Sequence, residues 1–263
     1  MTRNTFCQEH WVNIDPERLD RYQRMFQWNP ASAPLYAPAD IRPGHVVAEF
    51  GCGPGHTAVE IATWVGPHGH VHALDINADF VAQARRNADA ASVGDRVTTH
   101  LCEGSTLPLP PASVDRLTVR NTLIYVDDPD ATLRECRRVL RSAGKLHAIE
   151  GDWPMMVIEP APTADWAALV SAASRGCRTP DIGRKLPAFL RRAGFLAVDV
   201  QLVTRPDTEG RLLPMINTIA DYARGSGTIG DAEIDRLLFS IERARAEGSY
   251  LFLAPQFVVT AIR

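Results

Sequence analysis

The chain has 263 residues, of which 45% are hydrophobic and 22% are charged, and its formal net charge is −3. This composition is typical of a globular protein that buries a core. It argues against a nucleic-acid substrate, because blocks of Lys and Arg do not exceed pairs such as Arg85-Arg86. It also argues against a membrane span, because no run approaches the roughly 18 apolar residues that a span needs.

The cysteines and the first residues bear on the compartment. Five cysteines without a CxxC pair favour reduced thiols over a disulfide framework or a zinc site. They are Cys7, Cys52, Cys102, Cys136 and Cys177. Residues 1–10 lack the apolar segment of a secretion signal. We therefore expect a cytoplasmic protein without a metal ion.

A regular alternation of strands and helices follows a proline-rich lead-in, residues 1–40. Apolar runs predict strands at 45–50, 70–75, 97–101, 114–120 and 145–150. Apolar residues at helical spacing predict helices at 58–65, 78–91 and 130–140. This alternation indicates βαβ units and a mostly parallel sheet. We expect one domain over residues 1–263, with its core at 41–150.

The alternation stops at residues 153–180, where prolines surround one helix at 165–173. We expect residues 153–180 and 205–247 to form helical insertions over the carboxyl edge of the sheet, where ligands of such folds bind. Pro187 should kink the next helix or mark its start. A strand at 198–203, a helix at 231–247 capped by Gly248 and a strand at 250–262 complete the chain.

A glycine loop, Gly51, Gly53 and Gly55, follows the first strand. Glycines let a backbone turn tightly and approach a ligand, and the helix that follows points its free N–H groups at that ligand. The alternative is a turn that serves packing alone. The loop differs from a dinucleotide fingerprint, because His56 stands where that fingerprint has its last glycine.

Two carboxylates accompany the loop. Glu49 lies two residues before Gly51, where it would repel a pyrophosphate and attract an ammonium group. Asp75 ends the second strand, 20 residues after Gly55, where a carboxylate can accept hydrogen bonds from ribose hydroxyls. The alternative for Asp75 is that it caps the next helix.

These motifs, in this order, resemble class I S-adenosylmethionine-dependent methyltransferases, and most closely the subfamily of ubiquinone/menaquinone biosynthesis methyltransferases. The similarity is strong over residues 41–150 and rests on Val46–Gly55, Val71–Ile76, Cys102–Gly104, Arg120–Leu123 and Arg138–Leu146. It implies an α/β, Rossmann-like, doubly wound sheet of seven mostly parallel strands, the last one antiparallel, with a helical lid insertion.

The resemblance implies roles for the loop and its two carboxylates. Gly51, Gly53 and Gly55 would pack under the carboxypropyl and ribose portions of S-adenosylmethionine. Glu49, where the family usually has Asp, would hold the methionine ammonium, directly or through water. Asp75 would accept hydrogen bonds from the ribose hydroxyls.

The resemblance also implies contacts further along the edge. Ile76 would cover one face of the adenine, although alone it could belong to the core. Glu103, where the family usually has Asp, would accept from the adenine amino group with the Gly104 N–H nearby, although it could be a solvated loop charge. Arg120 and Asn121 would approach the methionine end, chiefly through their backbone.

Methyl transfer from a sulfonium is an in-line displacement, so the protein must orient the acceptor toward the methyl group and exclude water. A base is needed only if the acceptor must lose a proton. Glu150 and Asp152, just after the fifth strand, are candidates to orient the acceptor or take its proton, or else they form a solvated turn. Tyr125 sits just beyond the fourth strand. Tyr22, Phe26 and Trp28 could roof the cofactor or the substrate, but ordinary packing is the simpler interpretation.

We expect a methyltransferase that acts on a small molecule of bacterial secondary metabolism, with S-adenosylhomocysteine as the product. A homodimer is left open, and neither nucleic acid nor membrane is expected as a partner. One alternative is a cyclase or other non-methylating enzyme that binds S-adenosylmethionine on the same fold. A less favoured alternative is an NAD(P)-dependent oxidoreductase.

Overall fold

The computed structural model of the chain describes residues 11–104 and 106–263. The described strands are β1 Val46–Phe50, β2 His70–Asp75, β3 Val97–Leu101, β4 Val114–Arg120, β5 Leu140–Gly151, β6 Val157–Glu159, β7 Leu196–Val203, β8 Leu251–Leu253 and β9 Gln256–Ile262. The described α-helices are α1 Pro16–Met25, α2 Ala33–Tyr36, α3 His56–Val65, α4 Ala78–Ala90, α5 Pro129–Val139, α6 Thr163–Ser174, α7 Ile182–Arg192, α8 Leu213–Ser226 and α9 Asp231–Glu247.

Seven of these strands form one twisted sheet in the order β3-β2-β1-β4-β5-β9-β7. Adjacent strands from β3 through β5 run parallel, and β9 is antiparallel to both of its neighbours. The strand order reverses between β1 and β4, which is where ligands of doubly wound sheets bind. The predicted fold class, including the antiparallel last strand, is therefore confirmed.

Helices cover both faces of the sheet because its central strands are apolar on both sides. On one face, α3 and α4 bury Ile61 and Ala84 in one cluster with Val47 and Val71 of the strands. On the other face, the larger cluster contains buried residues of β4, β5, α5 and α7, and it continues into α6, α8 and α9. The carboxyl ends of β1, β4 and β5 lie side by side at one edge of the sheet.

Three predictions about the elements need correction. The chain does not form one strand over 250–262, because Pro255 interrupts it and separates β8 from β9. Strand β8 instead pairs antiparallel with β6, which was not predicted. Pro187 does not mark a helix start, since α7 begins at Ile182 and continues through it. Gly248, with φ +74°, ends α9 in the left-handed conformation as predicted.

Other expectations meet the structure only in part. Cys52, Cys102, Cys136 and Cys177 are buried free thiols, and Cys7 lies outside the described residues. No helix within residues 11–104 and 106–263 combines the length and the apolar character that crossing a membrane requires. The same residues contain no group of three or more His, Cys, Asp or Glu side chains suited to a metal ion.

Candidate binding site at the carboxyl edge of the sheet

Two of the three loop glycines are required by packing. Gly51 has φ +74°, its N–H donates to Leu74 O at 2.8 Å, and a Cβ there would lie 2.1 Å from Thr122 Oγ1. Gly55 has φ +80°, and a Cβ there would lie 2.5 Å from the Ala84 Cβ. The packing interpretation therefore holds for these two positions, and it explains how the loop closes against β2, α4 and the turn after β4.

Gly53 is the loop glycine that leaves space. The nearest atom to a Cβ built on it is Phe26 Cδ2, at 3.6 Å. Its N–H donates to Asp75 Oδ2 at 2.8 Å, and Asp75 Oδ1 accepts from the Asn77 N–H at 3.0 Å. The cap of α4 is Asn77, whose side chain accepts from the helix. The capping alternative for Asp75 is thus wrong, and its carboxylate is held rigidly at the end of β2 with lone pairs to spare.

Glu49 is a buried acid with an incomplete set of hydrogen bonds. Its side chain lies in β1 with the residue 5% exposed, and Oε2 has no hydrogen-bond partner among the described residues. Burial raises the pKa of Glu49 to about 8; the nearby Asp75 raises it further, whereas Arg120 and the Thr57 hydroxyl oppose the shift. A buried carboxyl group without a partner is costly, so this position favours a ligand that supplies a donor or a positive charge.

Tyr36 adds a second polar atom beside Glu49. Its hydroxyl is buried without a hydrogen bond of good geometry among the described residues, although Thr57 and Arg120 lie close to it. Burial raises the pKa of Tyr36, so the phenol stays neutral. No sequence pattern pointed to Tyr36, because α2 lies in the proline-rich lead-in, which has no helical periodicity. The Arg120 side chain thus also lies near Glu49 and Tyr36, whereas its approach was expected to be chiefly through the backbone.

The ends of β2 and β3 form an open shelf. Ile76 is 37% exposed, so the interpretation of this residue as core is wrong. Glu103 is exposed, and Gly104, with φ +60°, has no heavy atom within 4 Å of a Cβ built on it. Asn121, at the end of β4, is held in the left-handed region at φ +48° and donates its N–H to Ile149 O. Ile76, Glu103 and Gly104 are thus accessible at this edge, and their contacts with a cofactor stay a prediction.

Glu150 positions the turn after β4. It is fully buried, and its Oε1 accepts from the N–H groups of Thr122 and Leu123, each at 2.9 Å. Its Oε2 has no partner among the described residues, and burial raises the pKa of the carboxyl group to about 7. Glu150 lies on the opposite face of the sheet from Glu49. Glu49 is in register with Thr118 and Thr118 with His147, so these three side chains share one face. Glu150 is three residues after His147, and side chains alternate along a strand, so it points to the other face.

Asp152 is also fully buried, and its carboxylate forms an ion pair with Arg184. The Asp152 carboxylate accepts from Arg184 Nη2 at 2.6 Å, from Nε at 2.8 Å and from the backbone N–H at 3.2 Å. This ion pair joins the end of β5 to the first turn of α7. Glu150 and Asp152 therefore do not form a solvated turn, and the hydrogen bonds that they make are to protein groups. Their expected role in orienting or deprotonating an acceptor stays a prediction.

A row of aromatic rings crosses above this edge. Phe26, next to Gly53, stacks on Tyr22 at 5.3 Å between ring centroids, and Tyr22 stacks on Trp11 at 5.1 Å. Trp11 contacts Tyr125 at 5.0 Å. The aromatic row continues through Tyr222 to Trp153, whose rings are 5.7 Å apart. Tyr22 and Phe26 thus roof the site as well as pack.

Comparison with known proteins supports the class that the fold and the edge indicate. Residues 47–144 match the family model described as a methyltransferase domain. The structure resembles the YcgJ protein of Bacillus subtilis, with a TM-score of 0.63 and 18% identity over 88% of this chain and 97% of that one. It also resembles a SAM dependent methyltransferase of Aquifex aeolicus, with a TM-score of 0.56 and 16% identity over 94% and 100%.

Curated relatives agree with this class. The chain is 32% identical to the methyltransferase GfsG of Streptomyces halstedii over 43% of its own length and 40% of that protein. It is 31% identical to the ubiquinone/menaquinone biosynthesis C-methyltransferase UbiE of Cellvibrio japonicus over 43% and 46%. In such matches the chain spans less than half the length of the relative. These matches confirm the resemblance to class I S-adenosylmethionine-dependent methyltransferases, and the match to a methyltransferase domain covers residues 47–144.

Proposed function

We propose that the chain binds S-adenosylmethionine at the carboxyl edge of β1, β2 and β4 and transfers its methyl group to a small molecule. The observation that carries the proposal is the buried Glu49 Oε2, which lacks a hydrogen-bond partner among the described residues. An amino acid ammonium supplies both the donor and the charge that this oxygen needs. Glu49 also lies near Asp75, which raises its pKa, so a cationic ligand relieves repulsion between the two.

The neighbouring groups fit the rest of an amino acid. The Tyr36 hydroxyl and the Arg120 guanidinium lie together beside Glu49 and can donate to a carboxylate. Glu49 would then hold the ammonium and Tyr36 with Arg120 the carboxylate of the same methionine moiety. Asp75, fixed by the Gly53 and Asn77 N–H groups, keeps lone pairs for two ribose hydroxyls.

The shelf at the ends of β2 and β3 fits the adenine. Ile76 exposes an apolar surface on which a planar base can lie. Glu103 can accept from an exocyclic amino group, and the Gly104 N–H can donate to the ring. Gly53 leaves room for the ribose between Phe26 and the loop. Gly51 and Gly55 shape the loop without requiring contact with the ligand.

Bound S-adenosylmethionine supplies a methyl group on a positively charged sulfur. The contribution of the chain is to fix this group and an acceptor in line and to keep water out. Glu150 holds the turn that carries Thr122 against Gly51, and Asp152 holds α7 through Arg184. The aromatic row excludes water above the sheet. None of these tasks requires one of the two carboxyl groups to remove a proton.

We further propose that the acceptor is a small molecule of bacterial secondary metabolism. The net charge of −3 without a basic block disfavours a nucleic acid. Streptomyces relatives support the context, including an uncharacterized transposon protein of Streptomyces fradiae that is 34% identical over 63% of this chain and 47% of that protein.

Isothermal titration with S-adenosylhomocysteine tests cofactor binding, with NADH titrated in parallel to test the oxidoreductase alternative. We expect saturable binding of S-adenosylhomocysteine and none of NADH. Binding of NADH without binding of S-adenosylhomocysteine would overturn the proposed site. Binding of S-adenosylhomocysteine that Glu49→Gln leaves unchanged would overturn it as well.

Methyl-labelled S-adenosylmethionine, incubated with the protein and fractionated metabolites of a Streptomyces culture, tests transfer. We expect the label to appear in a product that has gained the mass of one methylene unit. A cyclase of the same fold is the alternative, because the structure also resembles the [4+2]-cyclase SpnF, with a TM-score of 0.59 and 19% identity over 96% of this chain and 86% of that one. A changed metabolite without label would favour the cyclase.

A further inference from the structure

Two phenol hydroxyls meet in the middle of the aromatic row. The Tyr222 hydroxyl donates to the Tyr125 hydroxyl at an oxygen–oxygen distance of 3.5 Å. Trp11 contacts the Tyr125 ring, and Trp153 contacts the Tyr222 ring. The pair is thus bounded on both sides by indole rings, so it forms a small polar spot in an otherwise apolar roof.

The turn after β4 fixes Tyr125 close to the proposed cofactor site. The Tyr125 N–H donates to Thr122 O at 3.0 Å, and Glu150 binds the N–H groups of Thr122 and Leu123. The Thr122 side chain in turn fills the space next to Gly51 in the glycine loop. The turn after β4 therefore connects Tyr125 to the glycine loop, because Thr122 contacts both of them.

The chemistry of the pair suits a neutral hydrogen-bond donor. Burial, with Tyr222 nearby, raises the pKa of Tyr125 well above its ordinary value, so its phenol keeps its proton. A phenol proton rotates to suit its partners, so the Tyr125 hydroxyl can donate to a ligand oxygen while it still accepts from Tyr222. The 3.5 Å contact is also long compared with the usual O–H···O distance of about 2.7–2.8 Å, so little is lost when the ring shifts toward a ligand.

The charges around the pair are balanced. Arg21 Nη1 on α1 lies 3.7 Å from Asp221 Oδ2 on α8. Arg178 Nε lies 2.7 Å from Oδ1 of Asp127 in the segment after β4. Neighbouring charged groups therefore face each other, and the rings present apolar surface. A planar, uncharged molecule suits these surroundings better than an ionic one.

We propose that Tyr125 is the specificity-determining residue of the acceptor subsite, where its hydroxyl donates to a hydroxyl or carbonyl oxygen on a planar, apolar acceptor that lies against the aromatic row. Tyr222 is a positioning residue that orients the Tyr125 hydroxyl. This inference rests on the proposed function, because it places the acceptor next to bound S-adenosylmethionine. It assigns the oxygen function of the acceptor to a neutral phenol instead of a carboxylate.

Two probes of equal shape test the proposal in the presence of saturating S-adenosylhomocysteine. They are 2-naphthol, which carries one hydroxyl, and 2-methylnaphthalene, which carries none, and binding is followed by their fluorescence. We expect the wild-type chain to prefer 2-naphthol by about fivefold, the typical value of one net hydrogen bond. Tyr125→Phe should reduce the preference to about twofold or less without weakening 2-methylnaphthalene.

Tyr222→Phe should reduce the same preference by a smaller factor, because it removes only the group that orients Tyr125. Tyr250→Phe is the control: Tyr250 is as buried as Tyr222, each 2% exposed, but its hydroxyl donates to Asp207 Oδ2 outside the aromatic row. It should leave the preference unchanged. Thermal unfolding of each variant checks that the chain is folded during the titration.

The outcomes separate this inference from the proposed function. Failure of S-adenosylhomocysteine to bind would overturn the proposed function. If it binds, an unchanged naphthol preference in Tyr125→Phe would overturn the role of Tyr125. Saturable binding of neither probe would overturn the aromatic acceptor subsite, and equal effects of Tyr250→Phe and Tyr125→Phe would assign the effect to stability alone.

Discussion

The two halves of the carboxyl edge each bury two carboxyl groups, but they use them differently. On the β1–β2 half, Glu49 Oε2 lacks a hydrogen-bond partner in residues 11–104 and 106–263, and Asp75 is fixed by two backbone N–H groups at the open shelf. On the β5 half, Glu150 holds two backbone N–H groups, and Asp152 is occupied by Arg184. Burial is common to all four, so burial alone does not identify a ligand site.

The two halves differ in the groups that surround the carboxyl oxygens without a described hydrogen-bond partner. The spare oxygen of Glu49 lies near the Tyr36 hydroxyl and the Arg120 guanidinium, in a polar recess. Glu150 Oε2 also has no described partner, but it lies on the face of the larger apolar cluster. A neutral Glu150 carboxyl can still accept the two turn N–H bonds through Oε1. The first half is thus suited to binding, and the second to holding its own backbone.

The largest expected effect is the loss of the Glu49 charge. Glu49→Gln should weaken S-adenosylhomocysteine binding by about 100-fold, or about 3 kcal/mol, because a charge-assisted hydrogen bond to the ammonium is lost. Isothermal titration at about pH 8.5, above the pKa of Glu49, measures it.

Glu150→Gln is the matched control for Glu49→Gln. Its amide oxygen can still accept from Thr122 and Leu123, so the affinity should change by no more than about twofold. Equal losses in the two variants would remove the distinction between the two halves of the edge.

The next effect concerns the β5 half and is one of stability. Arg184→Met should lower the free energy of unfolding by about 2 kcal/mol, since Asp152 is 0% exposed and would lose its ion partner. The figure is below that of fully buried pairs because the Arg184 side chain is 45% exposed. Urea unfolding measures it.

Arg184→Met combined with Asp152→Asn should recover most of this stability, because no buried charge then remains. S-adenosylhomocysteine affinity should be unaffected in both variants while they are folded. A loss of affinity with stability intact would instead return Asp152 to the binding or catalytic machinery.

The same two regions show how far the sequence alone could predict this protein. Residues 41–150 were predictable because their signals are local: strand ends, glycines with positive φ and the carboxylates beside them recur at fixed spacing. Strands β2, β3 and β4 have their predicted bounds. The three glycines looked equivalent in sequence, however, and only the contacts with Thr122 and Ala84 separate Gly51 and Gly55 from Gly53.

The roof and the β5 half could not be predicted in this way. Tyr36 becomes a site residue only because the lead-in folds back over β1, and no local pattern encodes that contact. Asp152 appeared available because its partner, Arg184, is 32 residues away in the sequence. Strand β6 is three residues long and exists through its pairing with β8. Long-range pairing thus decides which polar residues remain open to a ligand.

A third effect is the pH dependence of binding. The pKa of Glu49 is about 8 in the ligand-free protein, whereas the ammonium favours its ionised form. The affinity should therefore fall by about tenfold per unit as the pH decreases below 8, until the pKa of the bound form is reached. Each ligand bound should release up to one proton, which titrations in two buffers of different ionisation enthalpy measure.

The same pKa predicts the stability of the ligand-free chain. A carboxyl group with a raised pKa binds its proton more firmly in the folded than in the unfolded state. Its contribution therefore makes the free energy of unfolding decrease as the pH rises from about 4.5 to about 8, by up to about 1.4 kcal/mol per unit. Glu49→Gln should reduce this slope by the contribution of Glu49, leaving that of Glu150, whose pKa is about 7, and it should abolish proton release. An unchanged release would exclude Glu49 as its source.

The smallest expected effect lies at the shelf. Ile76→Ala should weaken S-adenosylhomocysteine binding by about fivefold, or about 1 kcal/mol, because less apolar surface is removed from water under the adenine. Its stability should hardly change, since Ile76 is already 37% exposed without a ligand. Leu196→Ala is the control, an exposed aliphatic residue on the edge strand β7. If titration shows equal affinities for both variants, the adenine does not lie on Ile76, and the open half of the edge would be limited to the amino acid and the ribose.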